Sequence, residues 1–124
     1  MRDAATTCLL VEDDFVLRSH TIERLRAMGV VDVAAFAGEA DALEYLAGTR
    51  PGFAILDYRL GRMETGERVA AALLALSVPM VIATGLGLLP DDAEGLGEVP
   101  VLAKPFREED IRTFLVDAGL IGGG

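Results

Sequence analysis

Short apolar runs alternate with helix-forming segments from one end of this chain to the other, and no Pro-, Ser- or Gly-rich linker divides them. That alternation is the pattern of βα units packed around a mostly parallel sheet. Residues 8–11 (CLLV), 30–36 (VVDVAAF), 53–56 (FAIL), 80–83 (MVIA) and 101–103 (VLA) have the composition of buried strands, the second weakened by Asp32. After the first run, Leu17, Thr21, Leu25 and Met28 fall at helical spacing before a stop at Gly29. EADALEYLAG predicts a second helix ending at Gly48. Residues 67–76 predict a third, with Val69, Leu73 and Leu76 on one face, and residues 108–117 a last, with Ile111, Phe114 and Leu115 turned inward. Between the fourth and fifth strands, Gly85, Gly87, Pro90, Gly95 and Gly97 oppose a stable helix, so residues 85–97 predict a short or frayed one. A chain of 124 residues suits one well-buried domain, and five strands alternating with five helices predict a doubly wound, three-layer (βα)5 domain of the α/β class.

The run VAAALLALSVPMVIATGLGLL, residues 69–89, has no charge and is long enough to cross a bilayer as a helix. Its interior argues against that. Pro79 would remove a helix hydrogen bond and push Val78 toward an extended conformation. The flanks carry Glu64, Glu67 and Arg68 on one side and Asp91, Asp92 and Glu94 on the other, without the basic bias of a cytoplasmic flank. The run divides into a helix, VAAALLAL, and a buried strand, MVIAT, and no membrane insertion is expected.

Composition narrows the function. With 52% hydrophobic and 25% charged residues the chain falls among compact proteins and away from disordered ones. A net charge of −9 disfavours nucleic acid as a partner, because a phosphate backbone calls for a basic footprint. Acidic residues interrupt MRDAATTCLLVEDD where a signal peptide requires an unbroken apolar core, so a cytoplasmic location is expected. Cys8 is the single cysteine, which excludes an internal disulfide and a multi-thiolate zinc site.

Ligands of doubly wound sheets gather at the C-terminal ends of the strands. There the sequence places Glu12, Asp13 and Asp14 after the first strand, Asp57 after the third, Thr84 after the fourth and Lys104 after the fifth. Singly, each has a structural explanation as a helix cap, a backbone-bonded hydroxyl or a loop residue. Together they form a different object. Crowded carboxylates repel one another unless a cation neutralises them, and an all-oxygen ligand set favours Mg²⁺. One carboxylate can then act as a nucleophile toward phosphorus, with an ammonium and a hydroxyl for the oxygens of the transferred group. Asp57, ending the most apolar strand, is the candidate nucleophile.

LLVEDD, ILDYRL, VIATG and VLAKPF, in this order and spacing, resemble the receiver domain of bacterial two-component response regulators over nearly the whole chain. The resemblance implies a flavodoxin-like fold with a parallel five-stranded sheet of order 2-1-3-4-5. It implies that Asp57 is the phosphoacceptor, and that Asp13 binds Mg²⁺ directly while Glu12 acts mainly through metal-bound water. Asp57 and the backbone carbonyl of Arg59 would complete the protein ligands, with Mn²⁺ or Ca²⁺ able to substitute. Thr84 would hydrogen-bond the phosphoryl group, Lys104 would pair with it, and Pro105 would follow a cis peptide bond. Asp14 reads as a helix cap. The implied partners are a sensor histidine kinase or phosphotransfer protein and a downstream protein.

The sequence departs from the family in places. Val101 stands where a switching aromatic is common, and RLGRMETGE follows Asp57 without the usual Pro-Gly-Met-Asp-Gly pattern. PMVIATGLG resembles a receiver subgroup marked by Pro-Phe-x-Phe-Ala-Thr-Gly-Tyr-Gly, with Met80, Ile82 and Leu86 replacing the aromatics. Membership would imply switching by ordering of residues 85–97 around Thr84. The expectation is a stand-alone receiver over residues 1–124, with an ordered core of about 6–120 and no output domain: a phosphoacceptor with self-phosphorylation and slow self-dephosphorylation rather than an enzyme. The alternatives are a pseudo-receiver that is not phosphorylated and, ranked last, a small hydrolase, for which Arg59 leaves no second carboxylate two residues after Asp57. His20, between Ser19 and Thr21 on the first helix, lacks the setting of a phosphohistidine module. Arg18, Arg24 and Arg107 read as solvated charges.

Overall fold

The computed structural model describes residues 6–60, 64–85 and 99–121. Five strands, β1 (Thr7–Val11), β2 (Asp32–Phe36), β3 (Phe53–Asp57), β4 (Met80–Thr84) and β5 (Val101–Ala103), form one parallel sheet of order β2-β1-β3-β4-β5. Four helices are described: α1 (Phe15–Ala27), α2 (Glu39–Gly48), α3 (Glu67–Ala75) and α4 (Glu108–Asp117). The helix expected over residues 85–97 falls, from residue 86 on, outside the described residues.

The strands run as continuous apolar segments because both faces of the sheet are covered. Alternate residues separate into two cores. Leu9, Val11, Ala54, Leu56 and Ile82 pack with Ala42 and Leu46 of α2 and Val69, Ala70 and Leu73 of α3. Cys8, Leu10, Phe53, Ile55 and Val81 pack on the opposite face with Leu25 of α1 and Ile111, Phe114 and Leu115 of α4. Residues 69–84 of the uncharged run are thus a helix and a central strand whose side chains enter both cores, and among the described residues no helix is long and apolar enough to cross a membrane.

Local signals fix the boundaries. Asp14 caps α1 through a hydrogen bond from the Leu17 N–H (3.0 Å), and Gly29, at φ 102°, turns the chain out of that helix. β2 begins two residues later than the apolar run suggests. Val30 N–H bonds back to the Leu25 carbonyl and so belongs to the helix exit, while Val31 N–H bonds to the Thr6 carbonyl and leads into the pairing that starts at Thr7 and Asp32.

Cys8 lies 1% exposed in the sheet, and burial pushes its thiol pKa well up. Ellman's reagent added to the native protein should therefore modify Cys8 only at the rate of unfolding; rapid stoichiometric labelling in native buffer would contradict this placement.

Candidate functional site

Strand register builds the site. Val11 pairs with Leu56, Asp57 with Ala83, and Thr84 with Ala103, so the residues that follow the strands emerge level on one rim. The Lys104 N–H donates to the Thr84 carbonyl (2.8 Å), which extends the β4–β5 pairing to the lysine itself. The Lys104–Pro105 peptide is cis, as the resemblance implies.

The rim brings together the residues expected from the sequence. Glu12, Asp13 and Asp57 can each supply one carboxylate oxygen within 4.8 Å of the others. Lys104 Nζ lies 2.9 Å from Glu12 Oε1 and 3.1 Å from Asp57 Oδ2, bridging two carboxylates that are each 8% exposed. Among the described residues, three carboxylates stand against one ammonium, a formal excess of two negative charges that a divalent cation would balance. Burial is the main cause that raises the Glu12 carboxyl pKa, and Asp57 adds to it against the opposing pull of Lys104. For Lys104, burial acts downward, but its bonds to Glu12 and Asp57 outweigh it and leave the ammonium pKa raised. The Thr84 hydroxyl is buried and, among the described residues, has no hydrogen-bond partner. A buried hydroxyl of this kind, at the end of the strand that pairs with the one leading into Lys104, calls for a partner that the described residues do not supply.

The segment after Asp57 folds back on itself. Arg59 and Thr65 form an antiparallel bridge, closed by Gly66 N–H to the Tyr58 carbonyl (2.7 Å) and Leu60 N–H to the Glu64 carbonyl (2.9 Å). These bonds use the residues on either side of Arg59, so its own carbonyl is left out of the bridge. Gly66 has no room for a side chain: a Cβ there would meet the Asp57 carbonyl oxygen at 2.8 Å and Leu56 Cδ1 at 2.9 Å.

A family model described as the response regulator receiver domain matches residues 8–116. The chain belongs to that family. No curated protein matches this receiver domain by sequence. Among solved structures, it is similar to a response regulator receiver protein from Sinorhizobium medicae WSM419, at 25% identity and TM-score 0.79, covering 90% of this chain and 92% of that one. It is similar to SdrG from Sphingomonas melonis Fr1, at 28% identity and TM-score 0.74, covering 93% of this chain and 97% of that one. A third, at 24% identity and TM-score 0.71, covering 90% and 95%, is the receiver domain of the sensor histidine kinase PA1611 from Pseudomonas aeruginosa PAO1, described with magnesium coordinated in its active-site cleft.

Two arginines read from the sequence as solvated charges hold the receiver's rim loops instead. Arg18 donates to the Glu12 carbonyl (2.8 Å) and Arg24 to the Phe106 carbonyl (2.7 Å), just beyond Lys104 and Pro105. Arg18 reaches back six residues to the loop that leads into α1, whereas Arg24 reaches a loop 82 residues away, which no local pattern reveals. Arg107 is exposed and pairs with Glu109. The proposed ordering of residues 85–97 lies, apart from Gly85, outside the described residues.

The charge balance makes a direct prediction. In metal-free buffer, Lys104→Met should cost about 1–3 kcal/mol at pH 8, below the full penalty for breaking a buried pair because the lysine is one-fifth exposed. The loss should shrink at pH 5. Glu12, its pKa raised, is favoured in its protonated form by the fold; as pH falls through that raised value it takes up a proton and the repulsion with Asp57 fades. Urea unfolding at the two pH values checks this, and equal losses would contradict it.

Proposed function

We propose that this receiver domain accepts a phosphoryl group on Asp57 from the phosphohistidine of a sensor histidine kinase or phosphotransfer protein, with Mg²⁺ as cofactor, as a cytoplasmic regulator. The single observation that carries the reading is the Lys104 ammonium set between Glu12 and Asp57 on a rim where, among the described residues, carboxylates outnumber it three to one. Phosphoacceptor chemistry in the family supports it, as does the magnesium described in the PA1611 receiver.

The donor set fits a hard divalent cation, being all oxygen: Asp13, Asp57, the carbonyl of Arg59, and Glu12 through water. When bound, such an ion supplies positive charge and offsets the negative charge of an incoming phosphoryl group. The protein residues do the rest. A carboxylate oxygen of Asp57 forms a bond to phosphorus as the phosphorus–nitrogen bond of the donor breaks, and the electron pair leaves with the imidazole nitrogen. Lys104 is already 3.1 Å from the attacking carboxylate and can transfer its hydrogen bond to a phosphoryl oxygen. The Thr84 hydroxyl supplies a further donor, and its new bond would be the first event seen by a protein-interaction surface reached through residues 85–97.

Incubation with acetyl phosphate and Mg²⁺, followed by intact mass measurement, should give a single phosphoryl adduct on the wild type and none on Asp57→Ala. An adduct that survives in Asp57→Ala would place the acceptor elsewhere. No adduct from acetyl phosphate or any kinase donor would favour an interaction module that is not phosphorylated.

A further inference from the structure

α3 begins at Gly66, and that position cannot carry the side chain that usually caps a helix. Gly66 makes no side-chain cap bond, and the Asp57 carbonyl and Leu56 fill the space a Cβ would need. The cap comes from another helix. Glu39, first residue of α2 and only 5% exposed, turns its carboxylate onto α3, where Oε2 accepts the N–H groups of Arg68 (2.9 Å) and Val69 (3.2 Å). These are the donors that a capping Ser or Asp at position 66 would have satisfied.

The exchange is reciprocal. α2 also starts at a glycine, Gly38, without a side-chain cap. The N–H of Glu39 is taken by Glu64 Oε1 (2.6 Å), from the segment that leads into α3. Each helix start is thus closed by a carboxylate from the other's neighbourhood. The segment so clamped begins at Asp57, carries Arg59 in its bridge to Thr65, and ends at Gly66 against the Asp57 carbonyl.

We infer that Glu39 is a positioning residue for the metal and phosphoryl site: its buried carboxylate fixes the start of α3, and through Gly66 and the Arg59–Thr65 bridge it sets where the Asp57 backbone and the Arg59 carbonyl stand. The inference rests on the function proposed above. Glu39 touches none of the rim carboxylates in any described contact; it acts by holding backbone, as outer-shell partners of metal ligands do.

Calorimetric titration of Mg²⁺ alone into the wild type, Glu39→Ala, Glu39→Gln and a remote core variant, Leu120→Ala, tests it. Glu39→Ala should weaken Mg²⁺ binding about ten-fold or more, the scale of lost outer-shell support. Glu39→Gln keeps an acceptor oxygen at the same reach and should restore binding to within about three-fold of wild type. Leu120→Ala should lower the melting temperature and leave the Mg²⁺ affinity unchanged. If Glu39→Ala does not fold, Glu39→Asp, which withdraws the carboxylate by one methylene, should show the same loss. Wild-type affinity in a folded Glu39→Ala or Glu39→Asp would overturn the inference, as would an equal weakening in Leu120→Ala, which would mark the effect as general destabilisation. A wild type that binds no Mg²⁺ would fail the functional reading itself, and the inference with it.

Discussion

Repulsion among carboxylates at the end of a parallel sheet is the constraint to which this fold answers. Glu12, Asp13 and Asp57 are brought to one rim by strand pairing that cannot shift without turning every core residue to the wrong face. The chain meets that repulsion with one ammonium. Lys104 reaches Glu12 and Asp57 together, and its own position is set by the backbone bond to Thr84 and by the loop that Arg24 holds at Phe106. Among the described residues, no other cation shares that task at Glu12 or Asp57. An acidic rim of this kind, with oxygen donors from three carboxylates, is chemically suited to a hard divalent cation.

The rest of the architecture serves the precision of that rim. Two cores, one on each face of the sheet, fix the strand ends, and the close approach of Gly66 to the Asp57 carbonyl ties α3 directly to β3. That contact has a cost, since it deprives α3 of its own cap. Glu39 makes good the loss from α2, so the packing of two helices and the geometry of the acceptor loop become one problem.

Most of this was legible in the sequence where the signal is local or periodic. The five apolar runs, the inward face of α4 at Ile111, Phe114 and Leu115, and the polar residues at the strand ends all follow from spacing. Contacts across long separations were not legible. Glu39 opens EADALEYLAG as an ordinary first-turn acid, Arg24 sits among helix charges, and nothing nearby in sequence shows that one is buried under α3 and the other bonds Phe106. Gly66 carries no periodic or local signal of its own, because its reason is the Asp57 carbonyl it faces. The start of β2 was misjudged because Val30 and Val31 look like strand, whereas Val30 is used to leave α1 and Val31 leads into the pairing.

The excess of carboxylates at the rim is tested most directly by linkage between cation binding and folding. Urea unfolding of the wild type across a Mg²⁺ series at constant ionic strength should show stability rising with the logarithm of Mg²⁺ once the site begins to fill, by about 1.4 kcal/mol per ten-fold increase for one site. A stability independent of Mg²⁺ would contradict the account, because a rim already neutral would give the ion nothing to bind.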